Sequence, residues 1–230
     1  MRRHTTPVIS LSALAVLTLA GCSGGSTPAA DPTSSASAHR TGNNVPAPTA
    51  LSSSALSKRL LDENDLGEGY TRRPQRAERH DDVIVIGCPA LEKLGGDAAT
   101  GANLDFPRKA KASFTYAGSS NSEVAEELYS GTAAKLSQDI GKIFDAMVSC
   151  PTYQVASGST VIGMTTQKTA APDLGDEQWS QLLTYSVGGQ RSVVKQTAVR
   201  TGGVLVILTG SPGLVDAHVE KAVDKVHHAG

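Results

Sequence analysis

Aromatic side chains are scarce in this sequence, because Phe, Trp and Tyr together make up 4 % of its 230 residues. So few rings argue against a base-stacking surface for nucleic acids and against a stacking platform for carbohydrates. An excess of charge is also missing, since 21 Lys and Arg residues are balanced by 22 Asp and Glu residues and the two signs are interspersed. The composition therefore excludes the basic stripe of a nucleic-acid-binding protein and a polybasic membrane patch.

Short catalytic and cofactor-binding motifs are missing as well. No GxSxG, HExxH, P-loop, EF-hand or paired CxxC pattern occurs, which argues against the common hydrolase, metalloprotease, nucleotide-binding and metal-binding classes. The densest set of metal-ligand types, Glu78 with His80, Asp81 and Asp82, lacks the glycine and the alternating spacing of a calcium loop, and we interpret it as a solvated loop. We expect no enzyme, no metal site and no cofactor.

The apolar run near the start of the sequence is short. It extends over about fourteen residues from Pro7 to Ala20, fewer than the roughly 20 that a helix needs to span a bilayer. Arg2 and Arg3 precede it, and small residues follow it. A basic segment, an apolar segment and a small-residue end predict a secretory signal peptide over residues 1–21.

The run ends at Leu19-Ala20-Gly21-Cys22, which resembles the lipobox of bacterial lipoproteins. In that motif the cysteine becomes the first residue of the mature chain and carries acyl chains, so the resemblance implies that Cys22 is lipidated. Two or three acyl chains hold a protein on a membrane far more firmly than one chain does. The alternative is an ordinary signal peptide with a chance cysteine. We expect the membrane as a partner, and a location at the outer face of the cell membrane.

Residues 22–50 predict a lipidated, disordered tether. They are rich in Gly, Ser, Thr, Pro, Ala and Asn and contain almost no large apolar side chain, so they cannot bury enough surface to offset the entropy lost on ordering. With a coil span of roughly 5 to 6 Å times the square root of its length, the tether has a root-mean-square reach of about 30 Å. Residues 51–230 remain for a single domain.

The sequence contains three cysteines. If Cys22 is lipidated, Cys88 and Cys150 remain, and a pair in an oxidising compartment outside the cell is most simply a disulfide. Two buried free thiols are one alternative. A metal-binding pair is another, although the further ligands that it needs are missing.

A short helical pattern covers residues 88–96, with Pro89 near its N-terminus and Gly95 past its C-terminus. Longer helical patterns occur at three further places along the domain. The first is capped by Ser52 and is expected to end at Asp62-Glu63-Asn64. The second covers residues 121–150, where Gly131 suggests a break and an apolar stripe at helical spacing follows. The third begins with Ser211 as N-cap and a proline in the first helical position.

Strand patterns fill most of the remaining sequence. Alternating apolar and polar residues predict a half-buried strand over residues 110–118. Segments rich in β-branched residues, separated by turn signals, predict further strands over residues 70–74, 159–169, 179–189, 191–201 and 202–210. The expected fold is therefore an α+β domain: an antiparallel sheet of about five to six strands with helices packed on it and one disulfide.

Two aromatic residues near the predicted hairpin are candidates for ligand binding. Trp179 and Tyr185 lie on the same predicted strand. A large ring with a polar group suits the wall of a cleft, and the alternative for both residues is core packing.

The order of these elements resembles the PknH-type extracellular sensor domain. The residues that carry the resemblance are "LLDENDLGEGY", Cys88, an amphipathic helix that runs into Cys150, the strand led by Trp179, and the hairpin and closing helix that follow. That domain occurs on a membrane-spanning actinobacterial Ser/Thr kinase and on stand-alone lipoproteins. The resemblance implies a mixed α/β sensor fold with a cleft for a small ligand and no catalysis. The kinase domain has two disulfides, whereas this chain has cysteines for one.

Two classes of function follow from these observations. The first is a lipid-anchored, extracytoplasmic binding or sensor-like module of the cell envelope, whose partner is a small ligand, a lipid or an envelope protein. The second is an exported cell-envelope enzyme whose site is assembled from residues that no short motif reveals. A structural envelope lipoprotein differs from the first class only in lacking a binding pocket. A concave site with convergent polar groups favours binding, and a nucleophile within hydrogen-bond reach of a base favours an enzyme.

Overall fold

The structure is a computed structural model, and it describes residues 50–75, 83–99, 106–118 and 122–228. The predicted signal peptide, Cys22 and residues 22–49 of the predicted tether lie outside the described residues. The group formed by Glu78, His80, Asp81 and Asp82 lies outside them as well.

The described residues form one antiparallel sheet of nine strands in the order β1-β3-β4-β9-β8-β7-β6-β5-β2. The strands are β1 Tyr70–Arg72, β2 Val83–Ile86, β3 Lys109–Tyr116, β4 Ser122–Ser130, β5 Thr152–Ser157, β6 Thr160–Lys168, β7 Glu177–Val187, β8 Gln190–Thr201 and β9 Val204–Gly210. The helices are α1 Ser53–Ser57, α2 Glu63–Leu66, α3 Pro89–Leu94, α4 Gly96–Ala99, α5 Ala133–Ser149 and α6 Pro212–His228. Within the parts of the chain that the structure describes, none of these helices is long and apolar enough to span a membrane.

The prediction of mixed helices and strands around an antiparallel sheet is confirmed, and the expected number of strands is wrong. The largest error concerns β4, which the sequence predicts as the first part of a long helix. In the structure β4 pairs with β3 on one side and β9 on the other. Val124 and Leu128 lie on one face and Tyr129 on the other, so pairing within the sheet overrides the helix propensity of the Glu-rich segment. Strands β2 and β5 are the other two strands that the sequence does not predict.

The first predicted helix is also shorter than expected and is followed by a second one. Helix α1 ends at Ser57 and not at Asp62. Asp62 instead begins α2, because its side chain accepts hydrogen bonds from Asn64 N and Asp65 N. The Asp65 side chain in turn accepts from Asp62 N at 3.0 Å, which completes a capping box. Leu60 and Leu61 between the two helices are buried.

Each face of the sheet carries its own apolar core and its own long helix. Helix α5, capped by Thr132, packs with α3 and α4 on the face that we call the α5 face. Helix α6 packs with α1 and α2 on the opposite face, which we call the α6 face. The core of the α5 face extends from β4 to β2, whereas the core of the α6 face is confined to β3, β4, β9 and β8. The helices on the α6 face therefore cover only half of the sheet.

The predicted disulfide between Cys88 and Cys150 is present, with its two Cα atoms 5.6 Å apart. Cys88 directly precedes α3, and Cys150 directly follows α5. The bond therefore ties the connection between β2 and α3 to the end of the long helix of the α5 face.

Candidate functional site

The half of the α6 face that the helices leave uncovered is in contact with solvent. Cross-strand pairing of β2, β5, β6, β7 and β8 places a set of mostly small or β-branched side chains on it. We call this set the open face, and it consists of Ile84, Ile86, Thr152, Gln154, Ala156, Val161, Gly163, Thr165, Gln167, Leu182, Thr184, Ser186, Arg191 and Val193.

The open face presents apolar side chains to solvent. Ile84 is 59 % exposed, Ile86 45 %, Val161 52 % and Val193 49 %. Ile84, Ala156 and Val161 are cross-strand neighbours in one row across β2, β5 and β6. Exposed apolar residues that lie together in this way, and not singly, are typical of interaction surfaces.

Charge is nearly missing from the open face. Arg191 is its one charged residue, and it has no acidic residue. The solvent-exposed face of an antiparallel sheet ordinarily alternates apolar residues with polar and charged ones, and charges protect it from association. Hydroxyl and amide groups of Thr165, Thr184 and Gln154 lie between the apolar side chains. The surface can therefore make neutral hydrogen bonds and apolar contacts, but few ionic ones.

Helix α6 forms one boundary of the open face. Lys195 of β8 lies where the sheet passes under the helix, and its Nζ atom is 2.5 Å from Asp216 Oδ1 of α6. The segment after β6 forms a second boundary of the open face. There Thr169 Oγ1 donates a hydrogen bond to Ser180 Oγ at 3.0 Å, and Ser180 and its hydrogen-bonded neighbour Thr197 are both buried. Helix α6 therefore rises above the sheet along one side of the open face.

The structure places Trp179 and Tyr185 on the opposite side of the sheet from the open face. Both belong to β7 and project to the α5 face, where they pack against the edge of its core. The Trp179 ring lies 6.4 Å from that of Phe144 in α5, and burial raises the pKa of the Tyr185 hydroxyl. The two residues are six positions apart on an extended strand, which separates them by about 20 Å, so they do not form one site with each other. Their role in ligand binding stays a prediction.

Two hydroxyl groups lie within hydrogen-bond distance of an imidazole. Tyr70 Oη is 2.6 Å from His218 Nε2, and Thr201 Oγ1 is 3.0 Å from His227 Nε2. The first pair joins β1 to α6, and burial lowers the pKa of His218. The second pair is open to water, because His227 is exposed and Thr201 is half-buried. The Thr201–His227 pair therefore does not exclude water from a hydroxyl nucleophile in the way that enzyme sites commonly do.

Charged residues gather between α2 and α6 around a depression of about 330 Å³, which is lined by Asp65, Lys221, Asp224, Lys225 and His228. The ammonium group of Lys225 binds both Asp62 and Asp65. The positive charge of Lys225 is thus compensated within the protein. These ion pairs attach α2 to α6. Among the described residues, no three His, Cys, Asp or Glu side chains are grouped closely enough to hold a metal ion.

Glu126 of β4 is a buried carboxyl group in the core of the α6 face, and only 1 % of the residue is exposed. Its Oε2 atom accepts a hydrogen bond from Leu61 N at 2.6 Å, in the link between α1 and α2. Its Oε1 atom has no hydrogen-bond partner among the described residues. Burial raises the pKa of Glu126 to about 8, although the Leu61 N–H and the positive charge of Lys225 act in the opposite direction.

Neither the open face nor Glu126 is identified by the sequence analysis. A signal for the open face exists in residues 161–167, which contain no charged residue although they form a predicted strand. Glu126 has a weaker signal: once residues 122–130 are assigned to a strand, it shares a face with Val124 and Leu128. The helix predicted over residues 121–150 does not show that Glu126 lies on the same face as Val124 and Leu128.

Comparisons with other proteins address the fold. No protein-family model and no curated protein sequence matches the chain. The crystal structure of the extracellular domain of PknH from Mycobacterium tuberculosis is similar, with a TM-score of 0.58 and 15 % sequence identity over 78 % of this chain and 98 % of that domain. At this level of identity the similarity establishes the fold alone. The fold of this chain is therefore similar to that of the PknH extracellular domain, in keeping with the order of elements in its sequence.

Proposed function

We propose that this protein is a lipid-anchored binding module at the outer face of the cell membrane, sensor-like in character and without catalytic activity. The observation that carries the proposal is the open face, a regular and nearly uncharged surface with four large apolar side chains exposed to solvent. Similarity to the fold of an extracellular domain supports the extracytoplasmic location. The signal-peptide pattern, the lipobox and the disulfide support it independently.

The chemistry of the open face indicates what it binds. Threonine and glutamine side chains offer neutral hydrogen bonds, the isoleucine and valine side chains offer apolar contacts, and Arg191 offers one positive charge. A ligand without strong charge, presented as a flat or extended surface, matches these groups. Small metabolites, lipids and cell-wall precursors with such a surface are the molecules to test first.

Native mass spectrometry of the full chain in detergent, against pools of lipids, wall precursors and small metabolites, tests the binding function. We expect a specific adduct, and we expect Thr165→Lys to weaken it by roughly tenfold or more, because a charge placed on the neutral surface must be desolvated. Ala217→Lys adds the same charge at an exposed position of α6 and serves as the control. Absence of any adduct would favour a structural envelope role, and turnover of a pool component would favour an enzyme.

Replacement of Cys22 tests the anchor. The Cys22→Ala chain is expected to appear in the culture medium or to remain as an unprocessed precursor, because the acyl chains that hold the protein on the membrane attach to that residue. Immunoblotting of membrane and medium fractions, together with the mass of the chain, distinguishes the two outcomes. Ser23→Ala keeps the cysteine and should behave as the wild type. Unchanged membrane retention of a processed Cys22→Ala chain would refute lipidation at this site.

A further inference from the structure

The open face is low at its centre. Gly163 of β6 has no side chain, and Ser186, which lies opposite it on β7, has a small one. Val161 and Thr165 stand on either side of Gly163 along β6, and both are exposed. A Cβ atom added to Gly163 would have only Ser186 within 4 Å of it, at 3.6 Å. The backbone of Gly163 and the side chain of Ser186 therefore form the floor of a shallow hollow, which we call the central hollow.

One positive charge lies beside the central hollow. Arg191 of β8 is exposed and lies directly opposite Ser186. The other two cationic residues of β8 are neutralised by carboxylates, Lys195 by Asp216 and Arg200 by two acidic residues. Arg191 has no such acidic partner within the part of the chain that the structure describes. Its guanidinium group is therefore available to an anion that comes from outside the protein.

Apolar groups border the central hollow. Val161 of β6 and Val193 of β8 are about half exposed on the open face. Thr165 and Thr184, which lie opposite each other on β6 and β7, add one methyl group each. Among the described residues of the open face, none is acidic and would repel an anion, and none is an aromatic residue on which a sugar could stack. One negative charge on an apolar body matches this combination of groups.

We propose that the central hollow binds a monocarboxylate with an unbranched apolar chain, a ligand of the fatty-acid type. The carboxylate lies between Arg191 and the hydroxyl group of Ser186, and the chain crosses Gly163 between Val161 and Thr165. Two strand spacings, about 10 Å, separate Arg191 from Gly163, so a chain of medium length reaches across the hollow. This assignment rests on the binding function proposed above and names the class of its ligand.

The charge of the site selects this class. A single guanidinium group balances a single negative charge, and its planar fork matches a carboxylate with two parallel hydrogen bonds. Phosphate monoesters and polyanions carry more negative charge than Arg191 compensates. A neutral chain gains no ionic hydrogen bond from Arg191.

Equilibrium dialysis of radiolabelled decanoate against phosphatidylcholine vesicles that contain the full chain, with the value for protein-free vesicles subtracted, measures binding. We expect saturable binding. Unlabelled decanamide, a neutral molecule of the same shape, should displace decanoate at least roughly tenfold less effectively than unlabelled decanoate does, because it cannot form the ionic hydrogen bonds to Arg191. Acetate, which has the carboxylate but no chain, should not displace decanoate.

Replacement of Arg191 tests the position of the carboxylate. Arg191→Gln is expected to weaken decanoate binding by at least roughly tenfold and to leave the displacement by decanamide unchanged, because only the charged ligand uses the guanidinium group. Lys142→Gln is the matched control, since it removes a positive charge from an exposed position of α5 on the other side of the sheet. The control should bind decanoate as the wild type does.

Filling the hollow tests the position of the chain. Gly163→Val is expected to weaken decanoate binding by at least roughly tenfold, because the new side chain occupies the space that the ligand would fill, while a β-branched residue suits a strand. Gln167→Val places the same side chain at an exposed position of the open face, further along β6, and should leave binding unchanged. Urea unfolding followed by Trp179 fluorescence shows that each variant is folded.

Several outcomes would overturn the assignment: equal displacement by decanamide and decanoate, or wild-type affinity in Arg191→Gln or in Gly163→Val. Dihexanoyl phosphatidylglycerol, a singly charged phosphodiester with two chains, should compete less well than decanoate, and stronger competition would replace the fatty acid by a phospholipid. If decanoate does not bind while a neutral molecule from the pools named above forms an adduct, this assignment is wrong and the binding function stands. If neither binds, both are wrong.

Discussion

Replacing Cys88 and Cys150 together by alanine is expected to lower the free energy of unfolding by about 4 kcal/mol. The two cysteines are 62 residues apart in the sequence, and in the chain-entropy model a cross-link over a loop of that length removes about this much conformational freedom from the unfolded chain. Urea unfolding followed by the fluorescence of Trp179, the single tryptophan of the chain, measures the change.

The loss of stability caused by removing the disulfide should also be uneven along the chain. The disulfide attaches the connection between β2 and α3 to the end of α5, and β2 pairs with β5 in the sheet. Hydrogen exchange in Val83–Ile86 and Pro89–Leu94 is therefore expected to accelerate more than exchange in α6, whose core lies on the other face.

The controls for this prediction use the same chemistry. A reducing agent should destabilise the wild-type protein by a similar amount and leave the double alanine variant unaffected. A loss of less than about 1 kcal/mol in the double variant would contradict the entropic account of the cross-link. Equal acceleration of exchange in α6 and in α3 would contradict its local action.

The sequence predicted the elements whose evidence is local. The stripe of Leu136, Ile140 and Phe144 identified α5, and the β-branched segments separated by glycine identified β6 to β9. The cysteine count identified the disulfide. In each case the signal lies within one short segment, or in a composition that leaves few alternatives.

Features that depend on partners distant in the sequence were not predictable in this way. Strand β4 contains three glutamates, which favour a helix in isolation, and only its neighbours β3 and β9 make it a strand. The open face combines residues from five strands, and it becomes visible only when their registers are known. Its exposure follows from the position of α6 over the other half of the sheet, which no local pattern encodes.

Glu126→Gln is expected to stabilise the protein at neutral and alkaline pH. The pKa of Glu126 is raised by burial to about 8, so between its ordinary value and pH 8 the folded protein binds a proton that the unfolded chain has lost. The stability that this group contributes is complete below about pH 4.5 and is lost as the pH rises through 8, with roughly 3 kcal/mol lost by pH 7. Glutamine cannot ionise, and its carbonyl can accept the hydrogen bond from Leu61 N.

The measurement is the difference in unfolding free energy between Glu126→Gln and the wild type from pH 4.5 to 8.5, by urea unfolding with Trp179 fluorescence. Taking the difference removes contributions that the two proteins share, including those of the charged neighbours Asp65, Lys225 and Arg72 that act on Glu126. We expect a difference near zero at pH 4.5 that grows to roughly 3 kcal/mol in favour of the glutamine variant at pH 7.

Glu127→Gln is the matched control, because Glu127 is the next residue on β4 and lies on the other face of the sheet, where it forms an ion pair with Lys111 at 2.7 Å. Its replacement should cost at most about 1 kcal/mol, as for other partly exposed ion pairs, with no growing gain towards pH 8. If the difference for Glu126→Gln does not change with pH, Glu126 is ionised in the folded protein. A constant difference would then mean that the bond from Leu61 N, together with Lys225 and Arg72, outweighs the burial of the carboxyl group, and the link between α1 and α2 would be held by a charge.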